Sequence, residues 1–294
     1  MSAVPSSSDA PRTPAVTTTS SLDVTDAAAA AGHVVEQLRA RRPLVQCITN
    51  YVSMDLAANL LNAAGASPAM VHHPQEAGEF AGLADAVVAN IGTPSPDWAD
   101  GIVAATTVAV ERGVPWVLDP VAVGATSYRR DLAGRLLTNR PTVIRGNAGE
   151  VLALAGVAGA SRGVDSAADS SAVGDQAAAL AAEAGCVVAV TGARDLVTDG
   201  RRQLTIDGGD RRAPMITALG CSATALVAAC CAVGEDRLAA TAAALAMITV
   251  AIERAGRDAA GPGSLRWRLL DELADLSADQ VGSRIEESHR DDQS

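Results

Sequence analysis

The sequence contains no lysine, and every basic side chain apart from four histidines is an arginine. A chain without lysine cannot form a Schiff base on a lysine amine, and it cannot supply the lysine of a Walker A phosphate-binding loop. Of the histidines, only His72 and His73 lie away from the chain ends, and neither stands in a known catalytic motif. Adjacent residues of a strand point to opposite faces, so we do not expect this pair to share a metal.

Aromatic and positively charged residues are also scarce. Aromatics make up 2% of the chain and apolar residues 48%, so the core must be built from Ala, Val, Leu and Ile. The net charge is −11, with an isoelectric point near 4.8. This balance excludes the basic face that nucleic-acid-binding proteins need, and it disfavours an anionic membrane surface.

The five cysteines include no C-x-x-C pair and follow no secretory signal, which predicts reduced thiols in a cytoplasmic protein. The Ser/Thr/Pro-rich residues 1–27 are predicted to be a disordered tail, residues 28–280 one domain, and residues 281–294 a charged, frayed tail. The longest apolar run, 238–252, is too short to cross a membrane and predicts a buried helix.

Short β-branched runs alternate with Ala/Leu-rich runs along most of the chain, which predicts an α/β fold. Continuous apolar strands of this kind favour a mostly parallel central sheet covered by helices on both faces. The predicted strands are 44–48, 67–71, 85–92, 114–120, 142–147 and 186–192, followed by a hairpin over 195–209. The predicted helices are 53–65, capped by Ser53 and ended by Gly65, then 97–112, 148–156 and 172–184, with the last third nearly all helical.

Ligands bind beyond the carboxyl ends of the strands in such sheets, so the residues that end each strand are the first candidates for a site. These ends read "TN", "ANIGT", "LDPVAVG", "RGNAGE" and "VTGARD". Gly, Asn and Asp also dominate ordinary turns, which is the competing explanation for each segment taken alone.

The segment "ITALGCSATAL" predicts a tight turn that opens into a buried helix, with Cys221 in its first turn. Unpaired amides and the helix dipole at such a turn attract a phosphate, and they are expected to lower the pKa of the thiol. Cys221 is therefore a candidate base or nucleophile. The alternative is a buried structural cysteine, like Cys230 and Cys231.

Two strand ends carry candidate metal ligands. In "RGNAGE", Glu150 could hold Mg²⁺ through water, or it could form a capping box with Asn147. Arg145 beside them indicates polyphosphate recognition. Asp119 of "LDPVAVG" could assist Glu150, or it could simply begin an Asp-Pro turn.

The remaining strand ends predict nucleotide and substrate contacts. Thr191 and Gly192 suit a nucleotide phosphate, although Thr-Gly is also common turn chemistry. Asn50 is a candidate hydrogen-bond partner for a small polar substrate. Met70 could line an apolar pocket, or it could be core filler.

Several of these segments, in this order, resemble the hydroxyethylthiazole kinase family of the ribokinase-like superfamily. They are "PLVQCITNYV", "GASPAM", "LDPVAVGA", "RGNAGE", "VTGARD", "GC" before an Ala-rich helix, and "GPGSLRWRLLDEL". The resemblance runs from about residue 33 to about residue 276. It implies a three-layer α/β/α fold, ATP and Mg²⁺, and transfer of the γ-phosphoryl group to the alcohol of 4-methyl-5-(2-hydroxyethyl)thiazole in thiamine salvage.

Residue by residue, the resemblance implies thiazole contacts at Met70, Gly220 and Asn50, and ATP-phosphate contacts at Arg145 and Thr191. It implies a magnesium shell at Asp119 and Glu150, and Cys221 in the place where most of the superfamily has an Asp base. It also implies a homotrimer with shared pockets.

One departure matters, because the family's Gly-Thr-Gly-Cys is here Ala218-Leu219-Gly220-Cys221. Ala218 is strained if its φ must be positive, and Leu219 removes a hydroxyl near the phosphoryl group. Two alternatives to the kinase therefore stay open. One is a weakened paralogue that binds thiazole or nucleotide, and the other is an ATP-dependent dehydratase of the same fold, whose expected Asp base is absent here.

Overall fold

The computed structural model describes residues 24–156 and 170–292. The strands are β1 (Leu44–Ile48), β2 (Ser67–Ala69), β3 (Ala86–Asn90), β4 (Trp116–Asp119), β5 (Val143–Asn147), β6 (Val187–Thr191), β7 (Arg194–Thr198) and β8 (Gln203–Asp207). The helices are α1 (Val24–Arg41), α2 (Met54–Ala64), α3 (Ala77–Ala81), α4 (Pro96–Arg112), α5 (Ser127–Thr138), α6 (Ala148–Leu154), α7 (Ser170–Ala184), α8 (Leu219–Val233), α9 (Arg237–Asp258), α10 (Pro262–Ala274) and α11 (Ala278–Asp292). A 3₁₀ turn, Ala213–Met215, precedes α8.

The strands form one sheet in the order β2-β1-β3-β4-β5-β6-β7-β8. The pairs from β2 to β6 are parallel, while β7 and β8 add an antiparallel hairpin at one edge. Helices α1, α2 and α8–α11 pack on one face, and α3–α7 pack on the other. The predicted three-layer α/β/α architecture with a mostly parallel sheet is confirmed.

Local sequence explains most element boundaries. Helix α4 begins where the Ser95 side chain accepts from the Trp98 amide, and it ends at Gly113 in the left-handed region. Helix α2 ends at Gly65, as predicted, with φ 101°. The prediction that the Ser53 side chain caps α2 is wrong, because Ser53 Oγ pairs with Thr49 Oγ1 at 2.7 Å instead.

The predicted tail boundaries differ from the structure at both ends. Residues 1–23 of the predicted N-terminal tail lie outside the described residues, but α1 begins at Val24 and buries Ala27. The boundary at 280/281 falls inside α11, where Val281 and Ile285 are buried in the core. Four residues apart, these two side chains share one helix face, and that spacing turns a charged segment into an amphipathic helix.

Helix α9 contains the longest apolar run. Of the helices in the described ranges, it alone has the length and composition of a membrane span, and most of it is buried inside the protein. Its 22 residues pack against α8, α10 and α1. The run therefore forms a buried core helix, as predicted.

Candidate active site

The carboxyl ends of β3 and β4 bring Asn90 and Asp119 side by side, since these two residues are register partners. Asn90 Nδ2 donates to Asp119 Oδ2 at 2.7 Å, and Thr224 Oγ1 of α8 donates to the same oxygen at 2.8 Å. Burial raises the pKa of Asp119 to about 6, while the charge of Arg145 opposes the rise and that of Glu150 adds to it. The Asp119 carboxyl group is thus desolvated, and it lies at the carboxyl ends of the strands, where the sequence predicts the site.

A chain of amide side chains connects this carboxylate to the thiol of Cys221. Asn90 Oδ1 accepts from Asn50 Nδ2 at 3.0 Å, and Asn50 Nδ2 also donates to Cys221 Sγ at 3.2 Å. A Cβ on Gly92 would lie only 2.8 Å from Asn50 Nδ2, so this close approach requires glycine. The structure therefore brings two residues predicted at strand ends, Asp119 and Asn50, into one cluster with Cys221.

Asn50 differs from its expected role in one respect. Its Oδ1 accepts from the amides of Val52 and Ser53, each at 3.1 Å, while its Nδ2 has the two acceptors just described. A primary amide offers two donors and about two acceptor sites, so Asn50 has no bond left for a substrate. The expected substrate contact is therefore not supported, and Asn50 instead holds Cys221 and the start of α2.

The expected lowering of the Cys221 pKa is wrong. Burial raises the pKa of this thiol to about 11, and the negative charge of Asp119 raises it further. Hydrogen bonds from Asn90 and Asn50 and the charge of Arg145 lower it only in part. Local sequence showed the first turn of a helix, but it did not show the neighbouring carboxylate or the depth of the thiol.

The backbone before α8 has a positive φ at Ala218, the position where the family has glycine. Ala218 has φ 70° and ψ 3°, in the left-handed region that disfavours a side chain. The Leu219 amide donates to Ile216 O at 3.3 Å, and the Ser222 amide donates to Ala218 O at 2.9 Å. Within the described residues, the amides of Gly220 and Cys221 have no such partner, so two donors remain for an anion.

Arg145 lies between these donors and the ends of β5 and β6. Its Nη2 donates to Thr191 Oγ1, and a Cβ on Gly220 would lie 2.9 Å from its Nη1. Its Nε is buried without a partner, and no ion pair joins it to a carboxylate within the described part of the chain. Gly220, a predicted thiazole contact, thus lies against Arg145, a predicted ATP contact, where the predicted substrate and nucleotide positions meet.

Glu150 forms the capping box that was the alternative to metal binding. Its Oε2 accepts from the Asn147 amide at 2.9 Å, and Asn147 Oδ1 accepts from the Glu150 amide at 2.9 Å. Glu150 Oε1 accepts from the Ala122 amide at 2.9 Å. Each carboxylate oxygen keeps a second acceptor site, so the cap leaves room for a water-mediated contact.

The residues present fit Mg²⁺ in one manner only. Among the described residues, no group of three or more His, Cys, Asp or Glu side chains converges as a metal cage. Mg²⁺ usually keeps several waters and binds through one or two carboxylates together with substrate phosphates. Asp119 and Glu150 match that pattern, since Glu150 lies close enough for its charge to raise the pKa of Asp119.

The other predicted site residues lie as follows. Met70 lies at the end of β2, half-buried, and packs against the core on the α8 side of the sheet. Thr191 ends β6, as predicted, and the amide of Gly192 donates to Asp195 Oδ1 at 2.9 Å. Burial raises the pKa of Asp195 to about 6, with the Gly192 amide and the charge of Arg145 opposing the rise.

Three residues in or beside this cluster are absent from the sequence-based prediction. Asn90 ends a fully buried strand in "ANIG", which was the available signal. Thr224 follows Cys221 by three residues, so one helix face carries both. Arg129 in the first turn of α5 had no local signal, and its three main-chain partners lie eight to 38 residues away.

Known proteins share both the sequence and the fold of this chain. The model of the hydroxyethylthiazole kinase family matches residues 35–279. A hydroxyethylthiazole kinase of Rhizobium etli (strain CIAT 652) is 53% identical over 252 residues, covering 85% of this chain and 98% of the relative. The structure of a hydroxyethylthiazole kinase protein from Pyrococcus horikoshii OT3 superposes with a TM-score of 0.79 at 39% identity, covering 85% of this chain and 95% of that one.

A more distant structure, an ADP complex of Bacillus subtilis pyridoxal kinase, shares the fold at 18% identity with a TM-score of 0.53, covering 72% of this chain and 92% of that one. The fold is therefore that of the ribokinase-like α/β proteins. Within that class, the chain belongs to the hydroxyethylthiazole kinase family.

Proposed function

We propose that this protein transfers the γ-phosphoryl group of ATP to the primary alcohol of 4-methyl-5-(2-hydroxyethyl)thiazole, in thiamine salvage. Family membership supports the reaction. The observation that carries it is the convergence, at the first turn of α8, of the Cys221 thiol, the free amides of Gly220 and Cys221, and the guanidinium of Arg145, which forms no ion pair among the described residues. Phosphoryl transfer requires mainly positioning and charge neutralisation, which these groups supply.

The nucleotide half of the site is assigned to Arg145 and Thr191. Arg145 has no carboxylate partner in the described part of the chain, so its guanidinium can form paired, charge-assisted bonds to phosphate oxygens, and the buried Nε provides a further donor. Asp119 and Glu150 would hold Mg²⁺ through its waters. When bound, Mg²⁺ neutralises charge on the phosphates.

The acceptor half is assigned to Met70, Gly220 and Cys221. Met70 supplies apolar surface for the thiazole ring, and Gly220 leaves space beside Arg145. The alcohol oxygen forms a bond to the γ-phosphorus, the bond to the ADP oxygen breaks, and the alcohol proton goes to the thiolate form of Cys221. Asn50 and Asn90 position that sulfur through their hydrogen-bond chain.

The strained Ala218 favours one second candidate, a paralogue that binds thiazole or nucleotide and turns over weakly. Backbone strain at an anion site can shift its amides from their best positions. The experiment also distinguishes the kinase from an ATP-dependent dehydratase of the same fold.

The experiment is ADP release with hydroxyethylthiazole, ATP and Mg²⁺, together with ³¹P detection of the phosphorylated thiazole. We expect ADP and thiazole phosphate to form in equal amounts, and only when hydroxyethylthiazole is present. ADP release that needs hydrated NADH instead would indicate the dehydratase. Thiazole or nucleotide binding by calorimetry without ADP release would indicate the binding paralogue.

We also propose a homotrimer, on the basis of family resemblance. Exposed apolar side chains support an interface beside the site, among them Tyr51 at 66%, Met215 at 63% and Trp267 at 76% exposure. Trp267 lies on α10, which packs against α2 and the 3₁₀ turn. Tyr51 precedes α2 and Met215 ends that turn, so the three side chains lie on neighbouring elements. Light scattering coupled to size exclusion should give three times the mass of the 29.6 kDa chain.

A cytoplasmic location is proposed from the thiols. All five cysteines are free, and four of them are buried. Reduced, unpaired cysteines are typical of reducing compartments. Cell fractionation tests the assignment, and recovery of the protein outside the cytoplasm would refute it.

A further inference from the structure

Arg129 contacts two of the loops that carry the site. Its Nη1 donates to Ile91 O and, at 2.9 Å, to Val121 O, while its Nη2 donates to Gly92 O at 2.7 Å. The first and third carbonyls belong to the loop after β3, and Val121 belongs to the loop after β4. One half-buried guanidinium thus bonds both loops at once.

These bonds begin where the sheet can no longer connect the two strands. The last ladder bond between them runs from the Ile91 amide to Asp119 O at 3.2 Å. Beyond it the chain turns at Pro120, and Ala122 takes a φ of 53°. The planar fork of an arginine can bond several carbonyls in a fixed geometry, which a lysine ammonium does far less well.

The two loops hold the polar groups around Cys221. The Gly92 amide donates to Asn90 Oδ1 at 2.8 Å, in the amide chain that leads to the thiol. On the other loop, the Ala122 amide donates to Glu150 Oε1. A shift of either loop would therefore alter the distance between Asp119, Glu150 and the thiol.

We propose that Arg129 is a positioning residue, which fixes the loops after β3 and β4 relative to each other and so sets the geometry of Asn90 and Asp119 opposite Cys221. This inference rests on the proposed kinase function for its kinetic consequence. The bonding between the loops is independent of that function.

The test compares Arg129→Met and Arg129→Lys with Arg130→Met. Arg130 is the matched control, because it is on the same helical turn and its exposed side chain donates, among the residues that the structure describes, only to Gly124 O at 3.2 Å. We expect Arg129→Met to lower kcat about tenfold to 100-fold with less than a twofold change in KM for the thiazole, since misplacement of reacting groups affects the transition state. Arg129→Lys should recover part of that loss, and Arg130→Met should stay within about twofold of the wild type.

Two further measurements separate positioning from folding. Hydrogen exchange of the free protein should rise in both segments, 91–93 and 120–124, for Arg129→Met, whereas Arg130→Met, which removes only a bond to Gly124, should leave the segment 91–93 unchanged. Thermal melts give the folded fraction, so kcat is expressed per folded molecule. A kcat per folded molecule equal to that of the wild type, no recovery with Lys, or failure of both Arg129 variants to fold would overturn the proposal.

The two proposals fail in different ways. If the wild type forms no thiazole phosphate, the kinase function fails, and hydrogen exchange still reports whether Arg129 links the loops. If the wild type is active and Arg129→Met retains its kcat, only the positioning role fails.

Discussion

Arg145 and Arg202 are both half-buried arginines near aspartates, but they lie at opposite ends of the parallel strands and are bonded differently. Arg202, in the turn between β7 and β8, contacts Asp199 at 2.6 Å and Asp236 at 2.6 and 3.1 Å. Arg145 has a hydroxyl partner, a buried unpartnered Nε and no ion pair in the described residues.

The pKa values of the aspartates near these two arginines are shifted in opposite directions. Burial works to raise the pKa of Asp199 and Asp236, but hydrogen bonds from Arg202 and main-chain amides outweigh it and lower both values. At the other end, burial prevails and raises the pKa of Asp119 to about 6. The ion pairs of Arg202 stabilise the fold, whereas the strand end with Arg145 keeps charge and hydrogen-bond donors available for a ligand.

The largest effect that would test this comparison is at Cys221. Cys221→Ala should lower kcat about 10²- to 10⁴-fold, the usual contribution of a general base. Cys221→Asp should retain substantial activity, because a carboxylate can accept the same proton. Cys230→Ala, in the same helix but buried in the core, is the control for folding, and normal turnover by Cys221→Ala would remove the base assignment.

A matched pair of arginine variants tests the two ends directly. Arg145→Gln should raise KM for ATP about tenfold to 100-fold, since charge-assisted hydrogen bonds contribute about 1.5–3 kcal/mol. Arg202→Gln should leave KM unchanged and lower the free energy of unfolding by about 1 kcal/mol, because its ion pairs are partly exposed. Kinetics and urea melts of both variants provide the measurement. A raised KM in Arg202→Gln together with an unchanged KM in Arg145→Gln would contradict the comparison.

The smallest effect concerns backbone strain at the ligand end. Ala218→Gly should raise the free energy of unfolding by about 0.5 kcal/mol, because relief of the φ strain exceeds the entropic cost of glycine only slightly. Ala223→Gly, inside α8, should instead lower it by about 1 kcal/mol. Thermal melts test both, and a loss of stability in Ala218→Gly would mean that Ala218 is unstrained.

Much of the fold could be predicted because its strands are continuous apolar runs bounded by glycine and by helix caps. Helix α5 has no counterpart in the sequence-based prediction, since its apolar residues are few and only Leu132, Ala133 and Leu136 are buried. The charge of residues 281–294 predicts a tail, whereas the structure has α11 there, because the burial of Val281 and Ile285 depends on contacts with α1 that the sequence does not show.

The site was predicted to the extent that strand ends define it. Asp119 ends β4 and Thr191 ends β6, and Arg145 lies two residues before the end of β5 between them, so topology alone brings the three close together. The pKa of Cys221 could not be predicted, because it depends on burial and on Asp119, 102 residues away in sequence. The same holds for Arg129, whose role depends on the path of two distant loops.

The most direct test of the central claim is the pH dependence of kcat/KM for the thiazole, which reports ionisations of the free enzyme. A base must be deprotonated, and a thiol pKa of about 11 makes the thiolate fraction fall tenfold for each pH unit below it. The account predicts that wild-type kcat/KM rises about tenfold per unit from pH 7 to 9, while Cys221→Asp gives a nearly flat profile. Superimposable profiles for the two proteins would show that the sulfur at position 221 does not accept the proton.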